Sequence, residues 1–279
     1  MFTAVGRRPA TVGFLAFPDV VIDLHSHILH GIDDGPADME GSIALARAAT
    51  MAGVRTIVAT PHVRDDHPFP LDTIDRRVEE LNVRLRAEGL DLSVVPGAEV
   101  SISKAPELDD ATLGQLCLGD GPYMLVESPY TQATQLLENV VFDLQARGYR
   151  PLLAHPERSP AFQTEPVRLV AFVDRGVKCS ITALSMAGGF GRRVKRYTET
   201  LFEEGLVHNV ASDTHDPVRR PPDLRHGFEV LDEDLPGLAA QADWFAMQAP
   251  AAMLRGEDMP TMPPPPPGRQ GLRRRLRRR

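Results

Sequence analysis

Residues 20–35 read VVIDLHSHILHGIDDG, an apolar run that ends in two histidines and passes into a glycine-flanked acidic loop. Residues two apart on a strand point to the same side, so His25 and His27, at the end of a strand over residues 20–24, are placed to grip one ion. Asp34 follows seven residues after His27, where Gly31 and Gly35 let the backbone fold a carboxylate back over the strand end. Its neighbour Asp33 offers itself instead as the cap of the next helix.

Six further short apolar runs read as buried strands, at residues 55–60, 92–96, 123–127, 151–154, 177–181 and 207–211. Amphipathic stretches such as 38–51, 72–87, 135–147 and 192–204 separate most of them. Gly53, Gly89, Gly148, Gly176 and Gly205 stand where helices commonly stop. A strand followed by a helix, repeated about seven times, predicts a parallel sheet, and closure into a β/α barrel buries every strand on both faces. In such barrels the reactive groups come from the C-terminal ends of several strands.

The strand ends follow that rule. The second run leads into Thr60-Pro61-His62, the third into Gly97-Ala98-Glu99 and the fourth into Leu125-Val126-Glu127. The fifth reaches Ala154-His155-Pro156-Glu157-Arg158 and the seventh Ala211-Ser212-Asp213-Thr214-His215, while only the sixth, Cys179-Ser180-Ile181-Thr182, lacks a ligand. A lone histidine is usually a hydrogen-bonded bystander, but six such ends out of seven point to a metal centre. Glu99, Glu127 and Asp213 follow apolar runs directly, where an unpaired charge is costly and coordination resolves it. Five histidines and four carboxylates without a thiolate suit manganese, iron or zinc, and nine ligands imply two or three divalent ions.

These motifs resemble the polymerase and histidinol phosphatase (PHP) superfamily, and more closely its bacterial capsule-type tyrosine phosphatases. The resemblance runs from about residue 22 to 255 through IDLHSHILHGIDDG, TIVATPHVR, GAEV, AHPER and ASDTHD. It implies a distorted seven-stranded TIM-like barrel with a trinuclear centre: His25, His27 and Asp213 on one ion, Glu99 bridging to a second completed by Glu127 and His155, and Asp34, His62 and His215 on a third. Arg158 would face the substrate phosphate. Ser159 stands where a tyrosine is familiar, and His30 occupies a loop position that varies.

The expected activity is hydrolysis of phosphotyrosine by a metal-bound hydroxide, without a phosphoenzyme. A bound ion lowers the pKa of water from 15.7 to about 7, and the ions with Arg158 neutralise the phosphoryl oxygens. The expected ion is manganese, with iron or zinc as alternatives, and the resemblance also implies a bacterial tyrosine kinase as phosphoprotein substrate and a link to capsular or exopolysaccharide regulation. Neither Cys117 nor Cys179 is followed by arginine at the spacing of the cysteine-dependent phosphatase loop, and no phosphate-binding G-x4-G-K motif is present. Rivals are a histidinol-phosphate or other small-molecule phosphoesterase, a TatD-like nuclease, an amidohydrolase and a non-catalytic scaffold. His30 and His67 are candidates to protonate the leaving group.

Composition bounds the rest. The chain has 279 residues, 42% hydrophobic, and a formal charge of −7; seven arginines lie in 269–279, so the remainder carries −14 and gives nucleic acid no broad basic footprint. Two distant cysteines and the lack of a long apolar run suggest a cytoplasmic protein. The expected organisation is an N-terminal extension over 1–19, a phosphoesterase domain over 20–258 and a disordered proline-rich, basic tail over 259–279. That tail is suited to anionic lipid or an acidic partner, which would make the protein peripheral at the inner membrane surface.

Overall fold

The computed structural model describes residues 17–68, 70–128, 130–131 and 135–266. Among the described residues there are nine strands: β1 (Val21–Ser26), β2 (Val54–Ala59), β3 (His62–Val63), β4 (Ser93–Pro96), β5 (Glu99–Val100), β6 (Tyr123–Glu127), β7 (Arg150–Ala154), β8 (Lys178–Thr182) and β9 (Asn209–Ala211). All pairings between them are parallel, in two sheets ordered β1-β2-β4 and β3-β5-β6-β7-β8-β9.

These nine strands occupy seven positions, because beyond two of the predicted runs the chain breaks and resumes as a second short strand. Thr60-Pro61 separates β2 from β3, and Gly97-Ala98 separates β4 from β5. Proline brings no N–H to a ladder, and a Cβ on Gly97 would come within 2.8 Å of Val58 Cγ1, so glycine permits a close crossing at the second break. The second and third positions thereby pair with each other in the first sheet through β2 and β4, and in the second through β3 and β5. The ring closes where Ser26 bridges Thr214, with His27 N–H donating to Thr214 O at 2.9 Å and Asp213 N–H to His25 O at 2.9 Å. The result is a distorted β/α barrel, as the sequence predicts.

The predicted helices stand within a residue of their expected limits. Helix Met39–Met51 is capped by Asp38, which accepts from Gly41 N, so Asp33 is free for another task. Helix Thr73–Ala87 buries Ile74, Val78, Leu81 and Leu85 as one stripe. The five glycines predicted to stop helices all have positive φ, from 65° to 93°.

One apolar cluster fills the space between strands and helices, and a second, of Leu24, Val58, Leu118, Tyr123, Leu125, Leu152, Ala154 and Met253, fills the barrel. Met253, from helix Ala249–Leu254, closes the floor of the barrel. No helix among the described residues is long and apolar enough to cross a membrane.

Residues packed on the body reach past both ends of the expected 20–258 domain. Phe17 is buried against Phe228, with ring centroids 5.9 Å apart, and so belongs to the core rather than to an extension. Residues 259–266, assigned by sequence to a disordered tail, lie against the body: Met259 and Met262 pack on the core and Gln241 Nε2 donates to Pro264 O at 3.1 Å. Apolar methionines just ahead of the proline run supply that contact. Residues 1–16 and 267–279, with the basic cluster, lie outside the described residues.

Candidate metal centre

All nine predicted ligands converge at the C-terminal mouth of the barrel. On β6, Tyr123, Leu125 and Glu127 share the inward face, so one strand runs from apolar floor to charged mouth. On β1 a register irregularity between Asp23 and Ser26 interrupts the alternation just above Leu24, and His25 and His27 enter the cluster there. Asp23 stays behind as a staple: buried, it accepts from Ser212 N and Oγ and from His25 N, and burial raises its pKa to about 6 against those hydrogen bonds. His155 and Asp213 are the only non-glycine residues described with positive φ, at 38° and 53°. Such backbone strain collects at functional sites.

The ligand atoms form four overlapping groups: His25, His27 and Asp213; His25, Glu99 and His155; His62, Glu99 and Glu127; and His27, Asp34, His62 and His215. The first and last contain two of the sets implied by the family resemblance. The implied set of Glu99, Glu127 and His155 is instead divided, with Glu127 beside His62 and His155 beside His25. Arg64 Nη1 donates to Glu127 Oε1 at 3.1 Å and holds that carboxylate toward the rim.

The donor set fits a cation. His25 Nε2 lies 3.3 Å from His27 Nε2, 3.3 Å from Glu99 Oε2 and 3.4 Å from Asp213 Oδ1; His27 Nε2 lies 3.6 and 3.5 Å from the same two oxygens. Four tetrahedral ligands about 2.0–2.1 Å from zinc would stand roughly 3.3–3.4 Å apart, close to these spacings. Glu99 Oε2 and His62 Nδ1 are buried, 3.0 Å apart, and neither makes a hydrogen bond. Orphaned buried atoms of this kind call for a further partner.

Secondary contacts aim the imidazoles. Asp33 Oδ2 stands 2.6 Å from His27 Nδ1, which turns Nε2 to the cluster, and also accepts from His62 N at 3.0 Å. Sequence offered Asp33 only as a helix cap; it is an orienting group. His215 Nδ1 lies 3.0 Å from Asp213 O, leaving Nε2 toward Asp34 at 3.2 Å. Burial would lower the pKa of His27, but Asp33 and Asp213 raise it to about 10, whereas burial and Arg158 lower His155 to about 4. Burial disfavours the Asp213 carboxylate, yet Arg158 and His25 hold its pKa well below the usual range.

Above the cluster opens a cavity of about 190 Å³ whose lining includes Arg64, Tyr130, Arg158 and Arg220. Arg158 Nη2 donates to Asp213 Oδ2 at 2.7 Å, and Arg220 Nη2 donates to the same oxygen. Arg220, Arg64 and Tyr130 escaped the sequence reading; an arginine seven residues after Asp213 is the only signal that marks Arg220. His30 is drawn away, with Nε2 2.8 Å from Arg77 Nη1, and His67 stacks on His62 beside a neighbouring pocket. Neither candidate acid lines the cavity.

A parallel β/α barrel carrying a buried histidine and carboxylate cluster at its C-terminal mouth, with two arginines over it, defines the class of metal-dependent hydrolases. The chain belongs to the CpsB/CapC family, described as capsular polysaccharide synthesis, whose model matches residues 21–254. It is 35% identical to the tyrosine-protein phosphatase YwqE of Bacillus subtilis over 256 residues, covering 90% of this chain and 98% of that one. With the tyrosine-protein phosphatase CpsB of Streptococcus pneumoniae it shares 30% identity, over 76% and 89% of the two chains. Its fold matches a solved structure from the work on YwqE and CpsB, described as metal-dependent tyrosine phosphatases, with a TM-score of 0.78 over 89% of this chain and 100% of the other. A β-aspartyl dipeptidase of Fervidobacterium islandicum, at 13% identity and a TM-score of 0.54, shares the fold.

Proposed function

We propose that this protein is a metal-dependent protein-tyrosine phosphatase, with His25, His27, Asp34, His62, Glu99, Glu127, His155, Asp213 and His215 as the ligands of two or three divalent ions. The observation that carries the reading is the double use of Asp213: Oδ1 faces the His25 and His27 pair while Oδ2 receives Arg158 and Arg220. An anion clamp thus abuts a cation site, as transfer of a phosphoryl group requires.

Divalent ions bound at the cluster would supply Lewis acidity and a nucleophile from water at neutral pH. Arg158 and Arg220 grip the phosphoryl oxygens, their planar guanidiniums matching that group better than a point charge does. Tyr130, half-exposed at the rim, offers an aromatic wall to an aryl leaving group. The chain's thiols take no part: burial pushes Cys117 up to about 11 and Cys179 higher.

The proposed ion is manganese, one of the three metals, with iron and zinc, that the nitrogen and oxygen donors suit. The proposed substrate is a phosphotyrosine protein, a bacterial tyrosine kinase linked to capsule or exopolysaccharide regulation, met in the cytoplasm at the inner membrane surface. The relatives, tyrosine-protein phosphatases, support the tyrosine reading over histidinol phosphate. The test is hydrolysis of a phosphotyrosine peptide and of histidinol phosphate after chelation and restoration of Mn²⁺, with metal content measured alongside. Metal-dependent turnover favouring the peptide is expected; preference for histidinol phosphate would keep the centre and reject the substrate.

A further inference from the structure

The sixth barrel position, β8, is the one that brings no ligand, yet its exit loop reaches the site. The chain leaves β8 through a short helix, Ala183–Met186, into Gly188-Gly189-Phe190-Gly191. Gly188 and Gly191 have φ of 86° and 92°, and a Cβ on Gly189 would lie 2.5 Å from Leu184, so the glycines allow a tight turn pressed on its own helix. Backbone hydrogen bonds close it: Gly188 N to Ser185 O, Gly189 N to Leu184 O and Gly191 N to Gly188 O, at 2.9–3.1 Å.

This turn presents Phe190 to both arginines. The Arg158 guanidinium carbon lies 4.8 Å from the Phe190 ring centroid and that of Arg220 lies 5.9 Å from it. Arg158 has Tyr130 as a second aromatic neighbour, at 5.9 Å. The loop and Arg158 are also tied through the preceding residue: buried Glu157 accepts from Thr182 N at 3.1 Å and from Ser185 Oγ at 2.7 Å. Arg158 Nε and Arg220 Nε are buried without hydrogen-bond partners; Asp213 Oδ2 takes one Nη of each, and Arg220 Nη1 also lies 3.1 Å from His215 Nε2, so the Nε edge of both forks is left unanchored. A ring held by a rigid turn restricts them where hydrogen bonds do not.

We propose that Phe190 is a positioning residue that couples Arg158 and Arg220 into one phosphate clamp, so that the loop after the ligand-free strand serves substrate binding rather than metal binding. The proposal deepens the phosphatase reading and rests on it for the identity of the anion.

The experiment uses the full chain loaded with Mn²⁺, inorganic phosphate as calorimetric ligand and an aryl phosphate as substrate. Phe190→Leu should weaken phosphate binding roughly five- to tenfold, while Phe190→Tyr, which keeps the aromatic face, stays within about twofold. Metal content and thermal midpoint should match the unaltered protein. In an Arg158→Ala background the effect of Phe190→Leu should shrink to about twofold or less, because residues acting through one another are not additive. An undiminished effect in that background, unchanged phosphate affinity, or a loss accompanied by metal loss or a lower thermal midpoint would each overturn the positioning role. Phosphate binding that responds to Phe190 in a protein inert to phosphotyrosine would reject the substrate reading alone.

Discussion

The mouth and the floor of this barrel are built from the same strands on opposite terms. At the floor Leu24, Leu125, Leu152 and Met253 are fully buried apolar groups, and Gly121 lets the backbone approach Met253 so closely that a Cβ there would lie 2.1 Å from its carbonyl oxygen. At the mouth the same strands end in buried histidines, carboxylates and arginines that satisfy one another only in part. The floor stabilises by burial and close packing. The mouth holds charge in a poorly solvated place, which is tolerable because opposite charges share it and a cation completes it. Stability and chemistry are thus separated along the barrel axis.

That contrast breaks most visibly at Asp213. Asp213→Ala should lower kcat/KM by roughly 10³-fold or more, since it removes a proposed ligand and the shared acceptor of two arginines; activity retained within tenfold would show that the mouth is not the reaction centre. Asp33→Asn keeps the shape but weakens the carboxylate that aims His27. It should reduce metal affinity roughly 10- to 100-fold, read by titration with a competing chelator, and unchanged affinity would make Asp33 merely structural.

The floor should respond the other way. Gly121→Ala should destabilise by about 1–3 kcal/mol in denaturant unfolding, with turnover per folded molecule unchanged. The smallest effect is on pH. In metal-stripped protein His27 has a folded pKa of about 10 against an ordinary 6.5, so protonation favours the folded state. Its contribution is complete below 6.5 and disappears as pH rises through about 10. The melting temperature of the stripped protein should therefore fall across that interval more steeply than that of the loaded protein, whose ligating histidine is already deprotonated. Parallel curves would mean that His27 does not exchange a proton for the ion.

The barrel and the positions of the nine candidate ligands were legible because eight lie at or just past a strand end, where local pattern and tertiary place coincide, and Asp34 lies in the glycine-flanked loop that follows β1. His62 and Glu99 were found even though the runs before them are broken, since the break at Pro61 or Gly97-Ala98 leaves the outgoing residue in register: His62 pairs with Glu99. What was not legible depends on contacts distant in sequence. Asp33 reads as a cap until Asp38 is seen to do that work, and Arg220 and Phe190 gain meaning only when two loops fold over Asp213. Glu127 also takes a hydrogen bond from Arg64, whose side chain no strand pattern could place. The packing of residues 259–266 rests on Met259 and Met262, which a composition dominated by proline conceals.

Those last residues have a geometric consequence. Pro265 lies against Gly205, just ahead of β9, and Gly256 lies against Pro122, just ahead of β6, so the C-terminal segment crosses the base of the barrel. The chain thus runs from the floor helix to residue 266 along the pole opposite the opening. That strap braces the entrances of β6 and β9 from below and leaves the aperture above the cluster clear, so whatever reaches the mouth need not displace it.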